Sequence, residues 1–264
     1  MSESFLRRAL NGHVLDQEQA RSVFEEMSRG ELSEIEIAAF LGALHARGEQ
    51  PSEIAGAAEA FRSAAQHFTT TAPDVIDVVG TGGDGVGTIN ISTASAFVAA
   101  SMGLKVAKHG NRAVSSKAGA ADLVEAAGIP LDLSPASSAT LLERTGFCFL
   151  FAQKYHPAMR YVAPVRGALK NPTIFNLIGP LVNPAPLSYQ VLGVGKPELL
   201  DVVAKALASL GLKHALVVHG SGTDEFAVHG PTEIREITPE GIASFTLTPE
   251  ELGITPAPLS ELVG

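Results

Sequence analysis

Residues 75–102 constrain the fold of this chain more than any other stretch. The apolar run Val75-Ile76-Asp77-Val78-Val79 leads into Gly80-Thr81-Gly82-Gly83-Asp84-Gly85-Val86-Gly87, and a helical pattern follows from Ala94 to Met102. Five of the eight residues 80–87 are glycine. Glycine buries no side chain and loses more backbone entropy on folding than any other residue, so packing does not account for them. A loop free of side chains lets backbone N–H groups close around an anion. The order strand, glycine loop, helix is where α/β proteins place phosphate groups.

Gly80-Thr81-Gly82-Gly83-Asp84-Gly85 also satisfies the G-x-G-x-x-G pattern of dinucleotide-binding proteins. That pattern requires an acidic residue about 20 positions on, at the end of the next strand, to hold a ribose hydroxyl. Here the next strand, 104–107, runs into Lys108-His109-Gly110-Asn111-Arg112 instead. Asp84 would repel a bare pyrophosphate and suits one accompanied by a cation. A magnesium-bound phosphate ligand is therefore favoured over a nicotinamide cofactor.

The rest of the chain divides by pattern. Residues 1–67 read as helical: Asp16 precedes a helix that stops at Gly30, and Ser33-Glu34-Ile35-Glu36 is a capping box for one ending near Gly48. Pro51-Ser52-Glu53 opens a third, to about Gln66. The resulting bundle would serve as a subunit contact or as a purely structural cap. Residues 68–74 form a β-branched, proline-containing connector and a candidate hinge. From Val75 strands at 75–79, 104–107, 147–152, 189–194 and 214–218 alternate with helices near 91–102, 117–127, 136–144 and 197–210. The expected fold class is α/β: a small N-terminal α-helical domain and a larger α/β domain, 75–264, with a mostly parallel central sheet. The stretch 164–187 breaks the rhythm, with a short apolar helix at Thr173–Ile178, and is expected to return to the bundle.

Composition removes several function classes. A formal net charge of −9 argues against a general nucleic-acid binder, which carries a basic surplus. One cysteine, Cys148, excludes an internal disulfide and a cysteine-rich zinc site, and its setting in Phe147-Cys148-Phe149-Leu150-Phe151 reads as buried filler. The N-terminus has no basic region followed by an apolar core, and no apolar run approaches the roughly 20 residues that cross a bilayer. The expected location is cytoplasmic, with no membrane partner.

Three further signals carry chemistry. The span Lys105–Lys117 holds Lys105, Lys108, Arg112 and Lys117 without one acid, in a chain that is acidic overall. Lys108-His109-Gly110-Asn111-Arg112-Ala113-Val114-Ser115-Ser116 reads as a tight loop after a strand. Its arginine fork, lysine charge and serine hydroxyls all suit phosphate oxygens; the alternative is a solvated basic face. Asp224-Glu225, after an apolar strand and the turn His219-Gly220-Ser221-Gly222, offers adjacent carboxylates of the kind magnesium takes alongside phosphate and water, although such pairs are also common on surfaces. Ser92 offers either a neutral oxygen ligand or a helix N-cap. Arg166 and His156, taken singly, read as a surface ion pair and a structural histidine.

The loop 80–84, Asn90-Ile91-Ser92-Thr93, the run 108–116, His156-Pro157-Ala158-Met159, Phe175-Asn176, Gly179-Pro180-Leu181, Asn183-Pro184 and Asp224-Glu225 occur in this order. In that order the chain resembles the anthranilate phosphoribosyltransferase family along essentially its whole length. The resemblance implies transfer of 5-phosphoribosyl from phosphoribosyl diphosphate to the amine of anthranilate in tryptophan biosynthesis, with Mg²⁺ assistance. It implies that Gly80, Gly83, Asp84, Thr88, Asn90, Ile91, Ser92, Thr93, Lys108, His109, Gly110, Asn111, Arg112, Ala113, Val114, Ser115, Ser116 and Ala120 line the phosphoribosyl diphosphate site. Ser92, Asp224 and Glu225 would bind two magnesium ions. Gly80, Asn111 and Arg166 would contact anthranilate, with His109 and His156 nearby, and Arg166, Asn111 and His109 would be the catalytic group. It also implies a homodimer formed through the helical domain.

Lys170 and Pro172 stand where that family usually has a glycine and an arginine, and Thr223 where an apolar residue is more usual. Members normally continue beyond Gly264, so the resemblance implies that a C-terminal portion is lacking. Two other readings compete. A pyrimidine nucleoside phosphorylase-like enzyme would need a different basic and serine pattern, and a non-catalytic nucleic-acid-binding relative is opposed by the acidic balance.

Overall fold

The computed structural model describes residues 4–113 and 118–264. In chain order the helices and strands begin with α1 (Phe5–Leu10), α2 (Gln17–Arg29), α3 (Glu34–Arg47) and α4 (Pro51–Ser63). There follow β1 (Val75–Gly80), α5 (Ile91–Ser101), β2 (Lys105–Gly110), α6 (Ala120–Ala126), α7 (Pro135–Thr145) and β3 (Phe147–Phe151). Next come α8 (Ala152–Tyr155), α9 (Ala163–Leu169), α10 (Phe175–Ile178), β4 (Leu187–Gly193) and α11 (Leu200–Ala208). The strands β5 (His214–Gly220), β6 (Thr232–Thr238) and β7 (Gly241–Leu247) complete the set. None of the helices is long and apolar enough to cross a membrane, among the described residues.

These elements form two compact units. The first takes the chain up to Gln66 together with Gln153–Val182; the second takes His67–Ala152 together with Asn183–Gly264.

The helical unit is set by its caps and its aromatic core. The Asp16 and Ser33 side chains each accept from the backbone N–H three residues on, and their own backbone N–H groups donate to the Gln19 and Glu36 side chains, closing capping boxes at the heads of α2 and α3. Phe24 of α2 meets Phe40 of α3 edge-on at 5.3 Å between centroids, and Phe175 of α10 meets Phe24 at 6.0 Å and Phe61 of α4 at 5.1 Å. Phe175 thus draws the later segment into the bundle, since each such pair adds to the area its rings bury. Arg62 Nη2 also donates to the Leu181 carbonyl at 2.6 Å.

The α/β unit is a seven-stranded sheet in the order β3-β2-β1-β4-β5-β6-β7. β3 to β5 run parallel across that order, and β6 and β7 are antiparallel. Helices α5 and α6 bury their apolar faces on it through Ala96, Val106, Ala121, Val124, Phe147 and Phe149. Cys148 is fully buried on β3, as expected of filler. The hairpin β6–β7 was absent from the expected strands. The alternation at its start (Thr232 and Ile234 buried, Glu233 exposed) and the turn before Gly241 are strand and hairpin signals visible in the sequence.

One buried charge ties the helical unit together. Glu53 of α4 is wholly buried, and its carboxylate accepts from Arg47 Nη2 at 2.6 and 2.7 Å, from the Leu15 N–H at 3.1 Å and from the Gln50 N–H at 3.1 Å. Glu53→Ala orphans all three donors, so it is expected to destabilise the protein by about 3–5 kcal/mol, read as a fall in the thermal or urea midpoint.

Candidate functional site

The strand order turns at β1 and β4: β1 leads to β2 on one side, and β4 leads to β5 on the other. A crevice opens at the carboxyl ends of strands where such an order reverses. Here it is a cavity of about 540 Å³, within the usual range for a small-molecule site. Its walls are the loop after β1, the head of α5, the end of β2 and Asp224-Glu225 after β5.

Two glycines make that arrangement possible. Gly80 and Gly193 are register partners at the ends of β1 and β4. A Cβ at Gly80 would overlap the Asp224 carboxylate, and one at Gly193 would overlap the Asp224 backbone carbonyl. The Asp224 loop therefore lies directly on the two strand ends. From there Asp224 Oδ2 accepts from the Gly82 N–H at 2.7 Å. Glu225 Oε1 accepts from the Ser92 hydroxyl at 2.6 Å and the Ser92 N–H at 3.2 Å. The glycine loop itself turns through positive φ at Gly82, Gly83, Gly85 and Gly87, a backbone path that side chains oppose.

Electrostatics follow from burial. Burial pushes the Glu225 carboxyl up to about 7, opposed chiefly by the Ser92 hydroxyl bond. Burial likewise raises Asp224, with the Gly82 amide pulling down and the Asp84 charge adding to the rise. Lys108 is almost wholly buried; desolvation lowers its pKa, while Asp77, Glu225 and Asp224 hold it up. The Asp224 and Glu225 carboxylates and the Ser92 hydroxyl form an all-oxygen set of hard donors, with the Lys108 ammonium as a separate positive charge in the same cavity. Such a set suits a magnesium ion shared with phosphate oxygens better than a soft metal in a closed cage.

Most of the sequence-derived residues meet here. Gly80, Gly83, Asp84, Thr88, Asn90, Ile91, Ser92, Thr93, Lys108, His109, Gly110, Asn111, Ala120, Asp224 and Glu225 all line the cavity. Six positions read differently. Lys108, His109 and Gly110 are the last residues of β2, paired with Phe149, Leu150 and Phe151 of β3, rather than a loop beyond it. Asn90, not Ser92, is the N-cap of α5; Ser92 lies inside the helix and serves Glu225. Arg112 and Ala113 do not line the cavity: Arg112 Nη1 donates to Asp122 at 2.9 Å and Glu125 at 2.8 Å, and the Ala113 N–H donates to Asp122 at 3.1 Å. Acids 10 and 13 residues further on thus take up the expected phosphate fork, because α6 brings them back to it. Val114, Ser115 and Ser116 lie outside the described residues.

His156 and Arg166 belong to the helical unit. Burial pushes His156 down to about 4, against bonds to the backbone at Phe61 and Val182. The Arg166 guanidinium lies 5.5 Å from the Phe175 ring centroid, and burial lowers its pKa.

The chain matches two family models. Residues 3–65 match the helical bundle domain of a glycosyl transferase family, and residues 72–264 match the a/b domain of a glycosyl transferase family. It is 50% identical over 259 residues to the anthranilate phosphoribosyltransferase of Aeromonas hydrophila, covering 98% of this chain and 76% of that protein. The chain belongs to the anthranilate phosphoribosyltransferases. That places it among the glycosyltransferases of tryptophan biosynthesis. The enzyme of Idiomarina loihiensis is 51% identical over 98% of this chain and 77% of its own length. The crystal structure of the Thermus thermophilus family member superposes with a TM-score of 0.94 at 48% identity, covering 99% of this chain and 78% of that one. The Saccharomyces cerevisiae member in complex with PRPP and Mg gives 0.89 at 29% identity, over 99% and 76%.

Sequence reasoning missed Gly193 and Gly195. An added Cβ at Gly195 would press on the Gly82 carbonyl and the Asp84 amide. The available signal was Gly193-Val194-Gly195 closing an apolar strand. Gly193→Ala is expected to destabilise the protein by about 1–3 kcal/mol and to speed amide exchange at Gly82 as Asp224 is displaced. Gly42→Ala, where an added Cβ meets nothing within 4 Å, should instead leave stability equal or raise it by up to about 1 kcal/mol.

Proposed function

We propose that the cavity at the ends of β1, β2 and β4 binds phosphoribosyl diphosphate and that this chain transfers its 5-phosphoribosyl group to the amine of anthranilate. The C1–O bond to the diphosphate breaks with its electron pair leaving on oxygen. The amine lone pair forms the new C1–N bond, and one amine proton is released. The observation that carries the reading is the convergence on one cavity of the glycine loop, the buried Lys108 and the Asp224-Glu225 pair.

Each group has a defined task in this reading. Backbone N–H groups of the glycine loop other than those of Gly82 and Val86, which Asp224 and Asp84 hold, take diphosphate oxygens, and Lys108 supplies a desolvated positive charge as the leaving group gains negative charge. Ser92, Asp224 and Glu225 would hold two Mg²⁺ ions, which when bound would supply charge neutralisation for the departing pyrophosphate. Asp224 and Glu225 already sit on amides of the anion cradle, so carboxylates and phosphates lie close enough to share cations. The aromatic amine of anthranilate is largely neutral at pH 7 and needs orientation more than a strong base. Arg166 grips the anthranilate carboxylate with its planar fork, and Gly80, Asn111, His109 and His156 are the other residues that the family resemblance assigns to anthranilate. His156, kept neutral by burial, adds a hydrogen bond rather than a charge. The protein works in the cytoplasm as a homodimer joined through its helical unit.

Loss of anthranilate fluorescence on mixing with phosphoribosyl diphosphate and Mg²⁺ tests the activity; an unchanged signal at high protein concentration would count against it. Arg166→Ala is expected to raise the anthranilate KM at least tenfold and the phosphoribosyl diphosphate KM less than threefold. Equal effects on both would remove Arg166 from the acceptor subsite.

A further inference from the structure

Asp77 is a carboxylate in the middle of an apolar strand, wholly buried, and neither the glycine loop nor the cation ligands include it. Its neighbours explain why it is tolerated. β1 and β2 pair in register at Val75↔Lys105 and Ile76↔Val106. Beyond that point side chains take the backbone groups that face the gap between the two strands. The Asn183 side-chain amide donates to the Ala107 carbonyl at 2.8 Å and to Asp77 Oδ2 at 2.8 Å. The His109 N–H donates to Asp77 Oδ1 at 3.4 Å, and Lys108 Nζ donates to the Val78 carbonyl at 2.6 Å. Asn183 is itself held by the Ala185 N–H, which donates to its Oδ1 at 2.9 Å.

A buried backbone group without a partner is costly, so parting two parallel strands needs substitutes for the lost ladder. Asn183, Asp77 and Lys108 provide them. They do so at the base of the cavity wall, which begins at Val79 on β1 and at Lys108 on β2.

We propose that Asp77 and Asn183 are positioning residues for phosphoribosyl diphosphate: together they hold β1 and β2 apart beneath the glycine loop and provide the buried counter-charge for Lys108. The inference rests on the reading that Lys108 contacts the diphosphate. Neither residue touches the ligand; both act through the end of β2. The charged groups acting on Lys108 are Asp77 from β1 and Glu225 and Asp224 from the loop after β5. Asp77 is also sensed by the Cys148 thiol of β3, which burial, first, and the Asp77 charge push up.

The sign of the pH effect follows. Burial lowers the Lys108 pKa and Asp77 raises it, so removing the Asp77 charge lowers it further. The ammonium is then lost at a lower pH than in the unaltered protein, and affinity for an anionic ligand falls as pH rises.

The test is calorimetric binding of phosphoribosyl diphosphate with Mg²⁺ at pH 7.5 and pH 9, alongside steady-state kinetics. Asp77→Asn is expected to weaken binding at least tenfold at pH 7.5, with a further threefold or greater loss at pH 9 beyond that of the unaltered protein. The anthranilate KM at saturating phosphoribosyl diphosphate should stay within twofold. An affinity within twofold of the unaltered protein, or the same factor of loss at both pH values, overturns the proposal, since a merely structural defect would not depend on pH.

Asn183→Ser keeps Asp77 and serves if Asp77→Asn does not fold. It should weaken binding at least fivefold with no added pH dependence, and unchanged affinity overturns the role of Asn183. Lys108→Met separates the inference from the reading beneath it. Unchanged affinity in that variant overturns the underlying reading and the inference with it; weakened binding there, with normal Asp77→Asn, overturns the inference alone.

Discussion

The close approach of the Asp224 loop to the ends of β1 and β4 is the constraint on which the rest of the site depends. It requires two glycines side by side, Gly80 and Gly193, because a single Cβ at either would displace the loop. Once the loop is seated, Asp224 reaches the Gly82 amide and Glu225 reaches Ser92 at the head of α5. Segments as far as 142 residues apart are thereby joined around one cavity. The switch point of the sheet supplies the crevice, and these glycines let it be lined with carboxylates.

The same region balances charge by burial rather than by exposed ion pairs. Asp224 and Glu225 are raised and Lys108 is lowered by desolvation, and opposite charge restores part of the shift for Glu225 and Lys108. Burial works against each of these charges, and a ligand that brings both signs, a polyanion with cations, offsets it. The exposed pairing of Arg112 with Asp122 and Glu125 contrasts with it. There the charges satisfy one another in solvent and add little to binding or stability.

Much of this was legible in the sequence, and the exceptions have local causes. The glycine loop, the five parallel strands and the Asp224-Glu225 pair each carry a signal within a short window, from glycine density, period or adjacency. The hairpin β6–β7 carried a signal of the same kind that went unused. Lys108 and His109 looked like loop residues because Gly110 and Asn111 follow them; pairing with Phe149 and Leu150 extends β2 across them instead. Arg112 looked free because its own segment lacks acids, and the folding back of α6 that brings Asp122 and Glu125 to it is a tertiary event. Asp77 is the instructive case: a charge inside an apolar strand was visible, but its partner Asn183 lies 106 residues away.

By itself the sequence determined the architecture and the chemistry of the ligand. Alternating period, capping residues and a loop stripped of side chains act through local sterics and hydrogen bonding, which do not need distant partners. Only the tertiary structure decided which groups stand free and which are already engaged. It turned Ser92 toward Glu225, closed Arg112 onto α6 and set Asp77 and Asn183 between two parted strands. The physical reason is that burial and pairing belong to the surroundings of a group, and those surroundings are assembled from segments far apart in the chain.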